Sequence, residues 1–241
     1  MAGLRDMDAT SSPPPAPPAA VVAERAEAIR RRIAEAGRDP AEVRVVAVTK
    51  GFGIDAVRAA LGAGLEHIGE NYAAELVAKA DALAGGDEAG APVRAAWHYL
   101  GAVQRRRVRD LAPVVAWWET VSRAVEGEAI AGRAPGATVL VEVETTGAVG
   151  RNGAPPAAVP ALVERLRDLG LDVRGLMTVG PAGDAEAARA AFRTTARLAA
   201  KLGLAELSMG MTDDLEVAVA EGSTMVRVGR ALFGERPARG A

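Results

Sequence analysis

Of the 29 basic residues, only Lys50, Lys79 and Lys201 are lysines; the others are arginines. Where arginine supplies nearly all the positive charge, a lysine is a candidate for work that a guanidinium cannot do. An amine can shed its proton and attack a carbonyl, whereas a guanidinium stays charged. Lys50 has the best placement, at the end of Val45-Val46-Ala47-Val48-Thr49 and just before Gly51-Phe52-Gly53. An amine at the end of an apolar run can be partly desolvated, which suits it to form a Schiff base with an aldehyde. The alternative is a solvated lysine that happens to follow a strand. Lys79 and Lys201 fall in helical stretches and read as ordinary lysines that survived the drift toward arginine.

Polar groups recur after other apolar runs. Leu65-Glu66-His67-Ile68-Gly69-Glu70-Asn71-Tyr72 brings a carboxylate, an amide and a phenol together, a set that can orient a ring-shaped ligand, although Gly69 as a turn and Asn71 as an N-cap are equally open. In Trp97-His98-Tyr99-Leu100-Gly101, His98 is either a general base or a buried, satisfied histidine. Leu207-Ser208-Met209-Gly210-Met211-Thr212 and Thr224-Met225-Val226-Arg227-Val228-Gly229-Arg230 set hydroxyls and backbone N–H groups ahead of helices, as an anion site requires. Asp213-Asp214 reads as a helix start, opened by Thr212 or Asp213, rather than as a catalytic pair.

These groups need elements to position them. Short β-branched runs at 43–49, 65–68, 95–98, 114–117, 138–143, 172–178, 206–208 and 225–228 alternate with helical patterns at 54–63, 72–83, 103–111, 122–133, 157–169, 184–202 and 213–221, after an opening helix at 21–36. Most of the runs bear more apolar residues than clean alternation predicts, as strands buried on both faces do. Eight strands with intervening helices predict an α/β fold, a single (β/α)8 barrel in which functional groups gather where strands end. Residues 1–20, rich in proline, are expected to be a disordered tail, 21–236 the barrel, 237–241 a short C-terminal tail, and Gly85–Gly90 a flexible loop.

Composition narrows the chemistry. A chain of 241 residues with no cysteine and two histidines excludes disulfides, thiolate nucleophiles and iron–sulfur clusters and leaves little for a metal site. A net charge of −2 argues against sequence-independent nucleic-acid binding. No apolar run is long enough for a membrane span or a secretory signal, so a cytoplasmic protein is expected.

In order, Val45–Lys50, Gly69-Glu70-Asn71-Tyr72 with Glu75, Trp97-His98 with Gly101 and Gln104, Arg174-Gly175-Leu176-Met177, Leu207–Met211 with Asp213-Asp214, and Ser223–Gly229 resemble the YggS/PROSC family of pyridoxal-phosphate (PLP) homeostasis proteins. The resemblance implies a barrel of the alanine racemase N-terminal type with PLP as cofactor. It places Lys50 on the Schiff-base lysine and Asn71 on a residue lining the cofactor. Ser208, Gly229 and the amides of Met209 and Arg230 fall on the phosphate cup, and Arg227 on the arginine facing the pyridine nitrogen. The chain departs from the family's pattern at Arg105-Arg106-Arg107, at Glu144 and at Arg230.

Two functions compete. One is a binding protein that holds PLP and buffers it or delivers it to apo-enzymes, working as a monomer and not as an enzyme. The other is an amino-acid racemase-like enzyme. Racemisation needs acid–base groups on both faces of the substrate, and no second base is evident beside Lys50. The racemases' second, β-rich domain is not expected either, since only seven residues follow Gly234. The binding role is the expected one.

Overall fold

The structure, a computed structural model, describes residues 15–85, 95–147, 150–181, 183 and 185–235. Most of the proline-rich segment, nearly all of the Gly85–Gly90 loop and residues 237–241 lie outside that range. The strands are β1 (Arg44–Val48), β2 (His67–Glu70), β3 (Ala96–Tyr99), β4 (Val115–Val121), β5 (Thr138–Glu142), β6 (Asp172–Met177), β7 (Glu206–Ser208) and β8 (Met225–Val228). They run parallel in sequence order, and β8 pairs back onto β1 to close the barrel. The helices are α1 (Ala19–Glu35), α2 (Ile54–Gly62), α3 (Ala73–Ala84), α4 (Arg105–Leu111), α5 (Ala124–Ala131), α6 (Val159–Asp168), α7 (Ala185–Lys201), α8 (Leu215–Ala220) and α9 (Arg230–Phe233). Among the described residues, no helix is long and apolar enough to cross a membrane.

The sequence pattern explains the closure. The strands are largely buried on both faces, so one face packs against the helical ring and the other fills the barrel. Inside, Val46, Leu140, Met177 and Met225 form their own buried cluster. Outside, α1 contributes Val22, Ala26, Ile29 and Ile33, spaced so that one stripe of the helix is buried. Helix α1 contacts α2, α8 and α9. Its Arg32 ties it to α8 and the loop before it, donating to both Glu216 carboxylate oxygens at 2.5 and 2.9 Å and to the Thr212 carbonyl at 2.8 Å.

Three strands end later than the residue pattern predicts. Strand β3 runs one residue on to Tyr99, β2 two residues on to Glu70 and β4 to Val121, four residues past Trp117. The polar letters Glu70, Glu119 and Thr120 look like strand ends in sequence but are buried here, because each has a hydrogen-bond partner inside the fold. Helix α9 carries no periodicity signal at four residues and is absent from the sequence reading.

Candidate functional site

A cavity of about 280 Å³ opens where the strands end, lined by Lys50, Asn71, Arg227, Gly229 and Arg230 along with apolar Val48 and Met177. That volume sits at the small end of small-molecule sites, about 300–1,000 Å³, and suits a ligand of one ring. Three cationic side chains against the carboxylates of Asp213 and Glu235 bias the lining toward an anion.

Lys50 is half-buried on a turn, with Gly51 at φ 79°, a conformation that glycine adopts without strain. That turn is tied down from several directions. The Thr49 carbonyl accepts from Phe52 N–H at 3.1 Å and from Lys79 Nζ at 2.9 Å. The Thr49 hydroxyl donates to Glu70 at 2.9 Å, and Gly51 N–H donates to Glu75 at 2.9 Å. Lys79 also pairs with Glu70 and lies 3.6 Å from Glu75. Reading Lys79 as a chance survivor is therefore incorrect: it is 6% exposed and bonded to the residue before Lys50. Burial raises the Glu70 carboxyl above the usual range, with Lys79 and Thr49 opposing that shift.

Asn71 follows β2. Its Nδ2 donates to the Leu100 carbonyl at 3.4 Å, while its Oδ1 is buried with no hydrogen-bond partner. An orphaned acceptor in a cavity wall is costly unless a ligand donor meets it. Gly101 brings β3's exit against this residue, since a Cβ at 101 would stand 2.0 Å from the Asn71 carbonyl oxygen.

Arg227 on β8 is 5% exposed. Its Nη1 donates to Ser208 Oγ at 2.8 Å and its Nη2 to the Thr178 carbonyl at 2.9 Å. Burial pulls its pKa down, and Glu119, Glu142 and Asp214 counter that pull. A guanidinium has five N–H donors, so this anchoring leaves donors for the cavity.

At the rim, Gly229 caps α9 and Arg230 begins it, so their N–H groups belong to the first turn of a helix, which lacks intrahelical acceptors. Gly229 lies against β1: a Cβ there would be 3.1 Å from the Val48 carbonyl oxygen. The Arg230 side chain pairs with Asp213 and stands 3.4 Å from Glu235. Thr212 joins the lining, and its hydroxyl accepts from Ala231 N–H at 3.4 Å. Neither Thr212 nor Asp213 opens α8. The N-cap is Asp214, and its carboxylate accepts from Met211 N–H at 2.6 Å, shaping the rim loop instead of the helix start.

Ser208 and Met209 are placed deeper, outside the lining residues. The Ser208 hydroxyl donates to Glu119 Oε2 at 2.5 Å and accepts from Arg227, while Met209 N–H donates to the Met225 carbonyl at 3.1 Å. Glu119 on β4 reaches Ser208 on β7, three strands away, so this contact crosses the barrel interior. The other Glu119 oxygen meets His98 Nδ1 at 2.5 Å, and His98 Nε2 meets His67 Nδ1 at 2.9 Å. His98 is thus a buried, satisfied histidine stacked on Trp117 at a centroid separation of 5.5 Å. Glu119 stays ionised: although burial pushes its pKa up, hydrogen bonding and charge from His98, then Arg227 and Ser208, carry it below the usual carboxylate range. Sequence reading missed Glu119, and the available signal was a carboxylate inside the run Trp117–Val121.

His67 gives a pH prediction. Burial, helped by His98 and Arg44, depresses its pKa to about 4 from 6.5. Between those values the unfolded chain binds more protons than the folded one, so stability falls as pH drops from 6.5 toward 4. The contribution is roughly 1 kcal/mol once solvent screening of this half-buried ring is allowed for. His67→Asn, which retains a donor toward His98, should flatten that part of a urea-denaturation pH profile; an unchanged slope would refute the assignment.

The family model of the alanine racemase N-terminal domain matches residues 24–237. A pyridoxal phosphate homeostasis protein of Pseudomonas aeruginosa is 38% identical over 223 residues, covering 89% of this chain and 94% of that one. One from Deinococcus radiodurans is 40% identical over 212 residues, covering 85% and 95%. The solved structure of PipY from Synechococcus elongatus with PLP bound superposes with a TM-score of 0.75 at 31% identity, covering 88% of this chain and all of that one.

Proposed function

Since this chain belongs to the pyridoxal phosphate homeostasis proteins, whose barrel is the alanine racemase N-terminal domain, we propose that it binds PLP through Lys50 and serves PLP homeostasis, buffering the cofactor or delivering it to apo-enzymes. The observation that carries the reading is a single cavity that joins the Lys50 amine, the unpaired Asn71 oxygen and the buried Arg227 guanidinium. This set fits PLP, which is an aromatic ring bearing an aldehyde, a phenolic hydroxyl, a pyridine nitrogen and a phosphate. PLP supplies an aldehyde that a neutral amine engages reversibly with loss of water. Everything else is done by the protein.

The turn 49–52 places the half-buried Lys50 in the cavity lining, where its amine is available to an aldehyde. Asn71 Oδ1 accepts from a ring substituent. Arg227 faces the ring nitrogen as a permanent cation; it does not readily give up a proton, so that nitrogen stays neutral. The phosphate is held at the rim by the N–H groups of Gly229 and Arg230 and by the Thr212 hydroxyl, while Ser208 acts from below through Arg227. The amide of Met209 is already committed to β8.

The binding role is preferred over catalysis on one observation. Besides Lys50, the proton-transfer groups lining the cavity are Asp213 and Glu235, and Arg230 pairs with both. No tyrosine or histidine lines the cavity among the described residues. We place the protein in the cytoplasm as a monomer, in keeping with a role in supplying apo-enzymes. Titration with PLP and with pyridoxal tests the reading: pyridoxal, without the phosphate's charge-assisted bonds, should bind at least about 10-fold more weakly. Equal affinities would remove the rim site. In the same preparation alanine should not racemise, and turnover on the scale of ~1–10³ s⁻¹ would establish an enzyme.

A further inference from the structure

We propose that Glu119 is a positioning residue for Arg227: acting through the Ser208 hydroxyl, it fixes where the guanidinium points and supplies its counter-charge. The proposal rests on the reading above that Arg227 faces the ring of PLP. Neither Glu119 nor Ser208 lines the cavity, and the side-chain hydrogen bond that links them to the lining runs to Arg227.

The proton arithmetic gives this relay one direction. Arginine only donates and an ionised carboxylate only accepts, while serine has a single hydroxyl hydrogen. That hydrogen goes to Glu119 Oε2 at 2.5 Å, which turns a lone pair of Ser208 toward Arg227 Nη1 at 2.8 Å. The second Glu119 oxygen accepts from His98 Nδ1–H, and His98 Nε2 in turn meets His67 Nδ1 at 2.9 Å. The chain from His67 to Arg227 therefore converges on one anion. Glu119, Ser208 and His98 are fully buried, so water cannot replace a lost link without rearrangement. Of the three carboxylates that favour the charged guanidinium, Glu119 acts more strongly than Glu142 and Asp214.

A glutamine at 119 cannot satisfy both neighbours. If its oxygen accepts from Ser208, its amide hydrogens face the His98 N–H; if it turns round, the serine hydrogen is driven toward Arg227. Glu119→Gln, Ser208→Ala and the double variant of the full chain should be titrated with PLP, and the visible band of each followed against pH. Each single variant should bind PLP about 10-fold more weakly and shift the pH profile of the band. The double variant should be no worse than the weaker single, since both break the same path. Wild-type affinity and profile in Glu119→Gln, or in Ser208→Ala if the first does not fold, would overturn the proposal, as would losses that multiply in the double variant. A wild-type chain that fails to bind PLP would overturn the reading beneath it as well, whereas normal wild-type binding with silent variants removes Glu119 alone.

Discussion

Lys79→Met is expected to lower the unfolding free energy by about 3–5 kcal/mol, the range for breaking a buried ion pair from one side. Methionine keeps an unbranched stem of four heavy atoms and lacks only the terminal ammonium, so the loss is chiefly electrostatic. Without Lys79, the fully buried Glu70 keeps only the Thr49 hydroxyl as a partner, with its second oxygen unbonded already. The Thr49 carbonyl also loses its Nζ–H donor, which loosens the turn that carries Lys50. Urea denaturation checks the magnitude. Lys201→Met, on the exposed last turn of α7, is the control and should stay within about 0.5 kcal/mol of the parent. Adding Glu70→Gln to Lys79→Met should recover part of the loss by removing the stranded charge. Stability unchanged in Lys79→Met would mean that the Lys79–Glu70 pair contributes nothing to the fold.

Lys50→Arg is expected to abolish covalent attachment of PLP while leaving the fold intact, because arginine preserves the charge and the reach but has no amine to offer an aldehyde. Lys50→Ala should lose attachment equally and serves to separate charge from chemistry. If the rim holds the phosphate as proposed, Lys50→Arg retains weak, reversible PLP binding without the visible band. A band of wild-type intensity in either variant would exclude Lys50 as the point of attachment. Thermal melts of both variants report whether the fold is kept; the turn that carries residue 50 retains the bonds of Thr49, Gly51 and Phe52 in each.

The barrel was legible because its signal is repetitive: eight apolar runs separated by helical patterns admit few other topologies, and each run lies within a few residues of its strand. Lys50 was legible for a local reason, the end of an apolar run followed by a glycine-rich turn. What could not be read depends on contacts across the barrel. Glu119 and Ser208 are 89 positions apart, and nothing in either segment signals that one hydroxyl links a carboxylate to an arginine on a third strand. Lys79 was misread because a helix pattern shows which face a residue occupies but not that a carboxylate on β2 waits beneath it. The rim was read one turn too deep: Ser208 and Met209 stand at the end of β7 in sequence, yet the parallel ladder consumes the Met209 amide, and the outward groups are Thr212, Gly229 and Arg230.

The central claim is that one lysine of three, Lys50, holds PLP. Its most direct test is to mix the purified chain with PLP, record the visible absorption, reduce with borohydride and map the modified peptide by mass spectrometry. The expected result is a visible band that reduction removes and a single stable label on Lys50. A label on Lys79 or Lys201, or no label at all, would contradict it.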